Sequence, residues 1–500
     1  MKNSPETLAP VIAVFGTGSD VGKSVVVTAL ARYFKNQGIR VAPFKAQNMS
    51  NNSGVTPEGL EMGRAQIVQA EAAGIAPHVD MNPVLLKPTS QTGAQVVLLG
   101  NVHDTSTAID YHRKKEHLFN EVKAALKRMR SQYELVIMEG AGSCAEVNLM
   151  AHDIVNLPLA EHASSPVIVV ADINKGGVFA QILGTLACVN EPQRSLIQGF
   201  IVNKFRGDIR LFQEGVSWIE EKTGKPVYGV LPWYDHIQIE AEDSVAIDAI
   251  QKEMGNLSGK PVVAVIRLPH ISNFNDFDPL FRIREIEVRF LTRPEGLSRA
   301  VAVIIPGSKN TIHDLLFLRQ SGFEAALHAY EKEGGRILGI CGGFQMLGQE
   351  IADPFRLESD QGSVKGLGLL PVRTTLKAPK TTSLTTVAWQ DVQGDGYEIH
   401  MGQSVREGGE PLFKVVKRNE SVLNEDEGCV AAQGRVLGTY LHGLFDSPGV
   451  LKKWLLEIGL PGIPVPEEGG LAGRNREYDA LAKHIETFVD MKKIRELTGI

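Results

Sequence analysis

Short apolar runs alternate with helix-like stretches along the first half of the chain. The runs at 10–15 (PVIAVF), 40–44 (RVAPF), 134–138 (ELVIM), 166–170 (PVIVV), 197–202 (IQGFIV) and 226–231 (PVYGVL) predict strands, and the amphipathic spacing over 22–37 and 109–131 predicts helices. Strands so apolar, without a polar residue at every second position, suit a parallel sheet covered on both faces. Their alternation with helices predicts an α/β, doubly wound domain. Residues 235–259 are more acidic and close on a Gly/Ser turn, which marks a boundary. A second α/β pattern follows, with strands predicted at 261–266, 301–305, 336–340 and 436–440 and a β- and turn-rich stretch over 353–435. The predicted organisation is a domain at 8–235, a linker at 236–259, a second doubly wound domain at 260–453 and a C-terminal extension at 454–500 that ends in a helix.

Composition narrows the class. Hydrophobic residues make up 43% and charged residues 22% of the 500, which excludes disordered, collagen-like and coiled-coil chains. A net charge of -6 leaves no basic footprint, so no nucleic-acid partner is expected, whereas an anionic small molecule needs only local positive groups. The apolar runs are too short to span a bilayer and the N-terminus lacks the regions of a signal peptide, so no membrane partner and a cytoplasmic location are expected. Four scattered cysteines form neither a disulfide framework nor a zinc site. Glycine is in excess, at 50 residues, and two clusters of it carry chemistry.

The first cluster is GTGSDVGKS, residues 16–24, between a predicted strand and a predicted helix. Backbone N–H groups of such a loop and the helix N-terminus hold phosphates, Lys23 neutralises charge, and Ser24 is a candidate magnesium ligand. Thr17, flanked by Gly16 and Gly18, stands where the common phosphate-loop pattern has its first glycine, and Gly22 precedes the lysine. Glu139 ends a strand in MEGAGS, as a metal ligand or as a cap of the next loop. Asn203, in IVNK, is a candidate nucleobase contact or a turn residue. Lys45 opens KAQNMSNNS, a run suited to phosphate or polar substrate, or simply to solvent.

The second cluster is RILGICGGFQML, residues 336–347, in which strand, G-I-C-G-G and helix repeat the geometry of a nucleophile elbow. Cys341 would be the nucleophile, with the helix N-terminus favouring its thiolate. The N–H of Gly342 would be one oxyanion-hole donor, and PGSKNT supplies Gly307 or Ser308 for the second. His442, in GTYLHGLF just past a strand, is the favoured base, with His270 in LPHISNF as competitor.

The C-terminal part resembles the class I glutamine amidotransferases, and the N-terminal part is similar to dethiobiotin synthetase-like ATPases, whose extended phosphate loop has the spacing of GTGSDVGKS. Together with PFKAQNMSNNS, EGAGSCAEVNLM, DINKGGVFA, NKFRGD, PHISNFNDFDP and PGSKNT, these features resemble the cobyric acid synthase family over about residues 10–453. The resemblance implies amidation of the b, d, e and g carboxylates of adenosylcobyrinic acid a,c-diamide, with glutamine as nitrogen donor and ATP with Mg²⁺ to activate each carboxylate. The expected partners are thus small molecules: the corrinoid, glutamine and ATP. It implies Cys341 as nucleophile, His442 as its base, Lys23 and Ser24 at the phosphates and Mg²⁺, Glu139 as second metal ligand and Asn203 as base contact. Many class I members carry a Glu two residues after the histidine, where this chain has Leu444. A Cys–His dyad is therefore expected, with the group that orients His442 unassigned and glutamine hydrolysis weak until the other half is occupied. The nearest alternative is cobyrinic acid a,c-diamide synthase. A ParA/MinD-like nucleotide switch would account for the first cluster but not for Cys341 and His442.

Overall fold

The six apolar runs of the first half form one parallel sheet in the order Val227–Pro232, Ile197–Phe205, Val167–Asp172, Val11–Gly16, Leu135–Glu139, Val41–Phe44. The structure is a computed structural model that describes residues 8–89, 93–234 and 259–500, so the expected linker at 236–259 lies, but for Gly259, outside the described residues. Every residue of Val11–Gly16 and of Val167–Asp172 is buried, because helices cover both faces, and this explains the unbroken apolar runs. Helix α1 (Lys23–Asn36) leaves the loop after the central strand, and α2 (Arg64–Ala73) packs beside it. Parallel register places Val14 against Glu139 and Asp172 against Asn203, so the chemically suggestive residues share the carboxyl edge of the sheet. That edge is where open α/β sheets bind ligands.

The second sheet runs Glu287–Leu291, Val262–Ile266, Ala300–Ile305, Ile337–Ile340, Val436–Thr439, Cys429–Ala431, with only the last strand antiparallel. Its two outer strands are absent from the sequence pattern for a physical reason. Glu287–Leu291 (EVRFL) interrupts its apolar residues with Glu287 and Arg289, which pair with one another. A mostly antiparallel sheet of Gln47–Met49, Val84–Pro88, Gly93–Leu98 and Asn101–Thr107 is likewise inserted into the first domain without an apolar signature in its first strand. The β-rich stretch forms two further sheets between Glu350 and His442.

The C-terminal residues return to the first domain. Leu481, Ala482, Ile485 and Ile494, on helices Gly470–Phe488 and Met491–Thr498, join the core that α1 builds with Val26, Leu30 and Phe34. Arg32 grips Asp479 with Nε at 2.7 Å and Nη2 at 2.8 Å. Helix Pro448–Glu457 runs across position 453, where the sequence pattern placed the end of the second domain. Among the described residues no helix is long and apolar enough to cross a membrane.

Candidate active sites

The loop after Val11–Gly16 is shaped by contacts that only glycine tolerates at two points. Gly22 has φ 97, and a Cβ there would lie 2.1 Å from Asn203 Nδ2; a Cβ on Gly16 would lie 2.7 Å from Val21. Lys23 Nζ donates to the carbonyls of Gly18 (2.9 Å) and Gly142 (2.8 Å), so it bridges this loop to the one after Glu139. Thr17 donates its backbone N–H to Val170 O at 3.0 Å and its hydroxyl to Gln181 Oε1 at 3.1 Å. Asn203 is fully buried, donating Nδ2 to Val21 O at 2.8 Å and accepting the Lys204 N–H at 2.8 Å. These bonds support the loop backbone.

Glu139 is the hub of the site. It is fully buried, and its Oε1 accepts from Ser24 Oγ and Lys45 Nζ, both at 2.8 Å, while Oε2 accepts from Gln69 Nε2. The chain thus brings Lys23, Ser24, Lys45 and Glu139 together from three strand ends. A divalent cation fits the Ser24–Glu139 pair: two oxygens at about 2.1 Å from Mg²⁺ in cis octahedral positions lie about 3 Å apart, close to the 2.8 Å seen between Ser24 Oγ and Glu139 Oε1.

In the second domain Cys341 sits at φ 52, ψ -106, between Ile337–Ile340 and the helix Gly342–Leu347. This strained backbone lifts the side chain out of the sheet, as a nucleophile elbow does. A Cβ on Gly343 would lie 2.0 Å from Ile305 O, and one on Gly339 2.7 Å from the backbone of Gly343, so both glycines are required by close approach. The thiol, 5% exposed, donates to Ile399 O at 3.6 Å and shares its cavity with His442. On the other ring nitrogen, His442 Nδ1 lies 2.7 Å from Asp276 Oδ2, and the second Asp276 oxygen accepts the Gly443 N–H at 2.8 Å. Burial would drive His442 neutral, but the Asp276 carboxylate and the Cys341 thiol outweigh it and push the imidazole up to about 10. His270 is engaged elsewhere, with Nδ1 2.8 Å from Asp314 Oδ1.

The oxyanion donors can be sorted by register. Ile271–Ser272 and Gly307–Ser308 pair antiparallel, and Lys309 N–H donates to His270 O at 2.9 Å. Antiparallel ladders alternate bonded and non-bonded pairs, so the Gly307 N–H faces Ser272 and the Ser308 N–H faces away from it. Ser308 N lies 2.9 Å from the point a Cβ on Gly342 would occupy, beside the elbow. Of the two residues considered for the second donor, the geometry therefore favours Ser308 over Gly307, whose own closeness to His442 (2.9 Å from a Cβ to Cε1) excludes a larger side chain.

Residues 12–246 match the family model described as the CobQ/CobB/MinD/ParA nucleotide binding domain, and residues 262–450 match the CobB/CobQ-like glutamine amidotransferase domain. A cobyric acid synthase of Pelodictyon phaeoclathratiforme is 48% identical over 97% of this chain and 96% of its own length. Cobyric acid synthases of Syntrophobacter fumaroxidans and Chlorobaculum tepidum are each 46% identical, over 97% and 98% of this chain and 98% of their own lengths. The chain belongs to the cobyric acid synthase family.

In this member of the cobyric acid synthase family, the residue that sequence reasoning missed is Asp276. It lies inside PHISNFNDFDP, which was visible as a motif, but four carboxylate or amide positions in that motif compete and none is near His442 in sequence. The cavity at Cys341 and His442 adds others: Gln345, Lys309, Glu358 and, from the first domain, Lys87. Gln345 Nε2 donates to Met401 O at 3.0 Å and to Tyr440 OH at 3.2 Å. Burial pushes Lys309 down to about 8 and Glu358 up to about 7, each against the pull of the other.

Proposed function

We propose that this enzyme is a glutamine-hydrolysing cobyric acid synthase that amidates the b, d, e and g carboxylates of adenosylcobyrinic acid a,c-diamide, with ATP and Mg²⁺, in the cytoplasm. The observation that carries the proposal is the Cys341 thiol in one cavity with a His442 held by Asp276, in one chain with a phosphate loop.

Cys341 attacks the side-chain amide of glutamine as the thiolate, and the N–H groups of Gly342 and Ser308 stabilise the oxyanion. His442, charged because Asp276 holds its other nitrogen, donates a proton to the departing ammonia. Water then hydrolyses the thioester to glutamate, with His442 returning as base. Lys309 and Glu358 offer opposite charges on the cavity wall for the carboxylate and ammonium ends of the amino acid. In the first domain a carboxylate of the corrinoid accepts the γ-phosphoryl group of ATP. This step is needed because oxide is a poor leaving group and phosphate a good one. Lys23 and the loop N–H groups hold the phosphates, Lys45 neutralises charge on the transferred group or the carboxylate, and Ser24 with Glu139 would hold Mg²⁺, which supplies charge neutralisation at the phosphates. Ammonia attacks the acyl phosphate and expels phosphate, leaving the amide. Enclosure keeps water from that intermediate.

Incubation with the a,c-diamide or with undiamidated cobyrinic acid, plus ATP, Mg²⁺ and glutamine, separates this activity from that of the sister a,c-diamide synthase. Mass gain of successive amides on the a,c-diamide supports it. Uptake only by the undiamidated acid would exclude it.

A further inference from the structure

Cys341 and the phosphate loop lie in different domains, so nitrogen released at the thiol reaches Glu139 either through the protein or through solvent. The cavity at Cys341 does not end within its own domain. Lys87, from Val84–Pro88, lines it together with Asn273 and Lys380. These groups belong to one buried cluster at the domain boundary. Glu61, 1% exposed, accepts Lys87 Nζ on Oε1 at 2.6 Å and Lys380 Nζ on Oε2 at 2.7 Å. Ser53 Oγ donates to Glu61 Oε1 at 2.7 Å, and Ser53 N–H donates to Asn273 Oδ1 at 3.1 Å. Burial opposes the charge on Glu61, but the two ammonium groups outweigh it and hold the carboxyl well below the usual range.

From Glu61 the chain passes through Gly63 into α2, and the side chains along this course are amides with hydrogen bonds left unmade. Gln66 is fully buried, and neither its Oε1 nor its Nε2 has a partner among the described residues; the same holds for Nδ2 of Asn48, 2% exposed. Asn48 Nδ2 and Gln66 Oε1 each lie 2.7 Å from the point that a Cβ on Gly63 would occupy, so the two amides crowd together against the bare backbone of that glycine. One turn along the same face of α2, Gln69 donates to Glu139 and its Oε1 has no partner among the described residues. Buried amides without partners are costly and uncommon. A row of them between two reaction centres suits the passage of a small, neutral, hydrogen-bonding molecule, and the lysines at its mouth repel ammonium but not ammonia.

We propose that Asn48, Gln66 and Gln69 line the path of ammonia from Cys341 to Glu139, and that Glu61 with Lys87 and Lys380 forms its gate at the domain boundary. The proposal rests on the functional reading above. The test supplies glutamine isotopically labelled in its amide nitrogen, an excess of unlabelled ammonium, ATP, Mg²⁺ and the corrinoid a,c-diamide, and measures label in the product by mass spectrometry. The wild-type product is expected to keep the label. In Gln66→Leu, or in Gln66→Met should the leucine variant not fold, label falls several-fold and glutamate release exceeds amide formation. Lys87→Met, at the gate, should do the same. A variant that is merely less stable loses glutamate release and amide formation together and keeps its label. Label retention equal to wild type in folded variants at both positions, or a wild-type product already diluted by the medium, would overturn the path while leaving the amidation itself in place. A wild type that forms no amide from any nitrogen source would overturn the functional reading and the path with it.

Discussion

The phosphate site draws its loop from nine consecutive residues, Gly16 to Ser24, whereas the thiol site gathers its side chains from positions 276, 341 and 442. In the first, the side chains close on the protein itself: Lys23 rests on Gly18 and Gly142, Ser24 on Glu139. A nucleotide arriving there would exchange these bonds for its own. In the second, the side chains already stand in their working relation, with Asp276 on one side of His442 and the thiol on the other. The difference teaches that one half is arranged to be reorganised by its ligand while the other is preorganised.

The comparison can be broken first at the loop. Lys23→Ala should lower amide formation by about 10³-fold with either glutamine or ammonium as nitrogen source, since it removes charge stabilisation common to both; steady-state rates with the two donors would show it. Full activity with either donor would mean that the phosphates bind elsewhere. The second break is at Asp276. Asp276→Asn should slow glutamine hydrolysis by about 10²-fold and move the alkaline limb of its pH profile down from about 10, because Asp276 is what raises the imidazole. The sign follows directly: with the carboxylate gone, His442 loses its proton at lower pH. An unmoved limb would assign the charge on His442 to Cys341 alone.

The smallest effect sharpens the preorganised side. Glu427 is buried behind the thiol site, accepting from Thr439 Oγ1 at 2.8 Å and Tyr440 N–H at 2.7 Å, and burial followed by repulsion from Glu398 pushes it up to about 8. Between its unfolded value of about 4.5 and that figure the native state binds the extra proton, so stability falls as pH rises through this window. Glu427→Gln should flatten that slope in denaturant titrations between pH 5 and about 9.

What could be seen in the sequence follows the same division. The loop is contiguous, and the glycines around Cys341 are forced by backbone approach, so both announce themselves in a few letters. The central strands were equally visible, because burial on both faces leaves nothing but apolar residues. Asp276 was hidden, since its partner lies 166 residues away. The inserted sheet that carries Lys87 was hidden too, because Gln47–Met49 offers no apolar alternation. The Glu61 cluster is held by charge pairs, to Lys87 within the first domain and to Lys380 across the boundary, which leave no periodicity at all.

The central claim is that two separable reactions share this chain, one at Cys341 and one at the phosphate loop. Amide formation by Cys341→Ala, measured side by side with glutamine and with ammonium, tests it most directly. The account predicts loss of glutamine-supported amidation by more than about 10³-fold with ammonium-supported amidation retained. Glutamine use at the wild-type rate would contradict it, and so would loss of both activities in a folded variant.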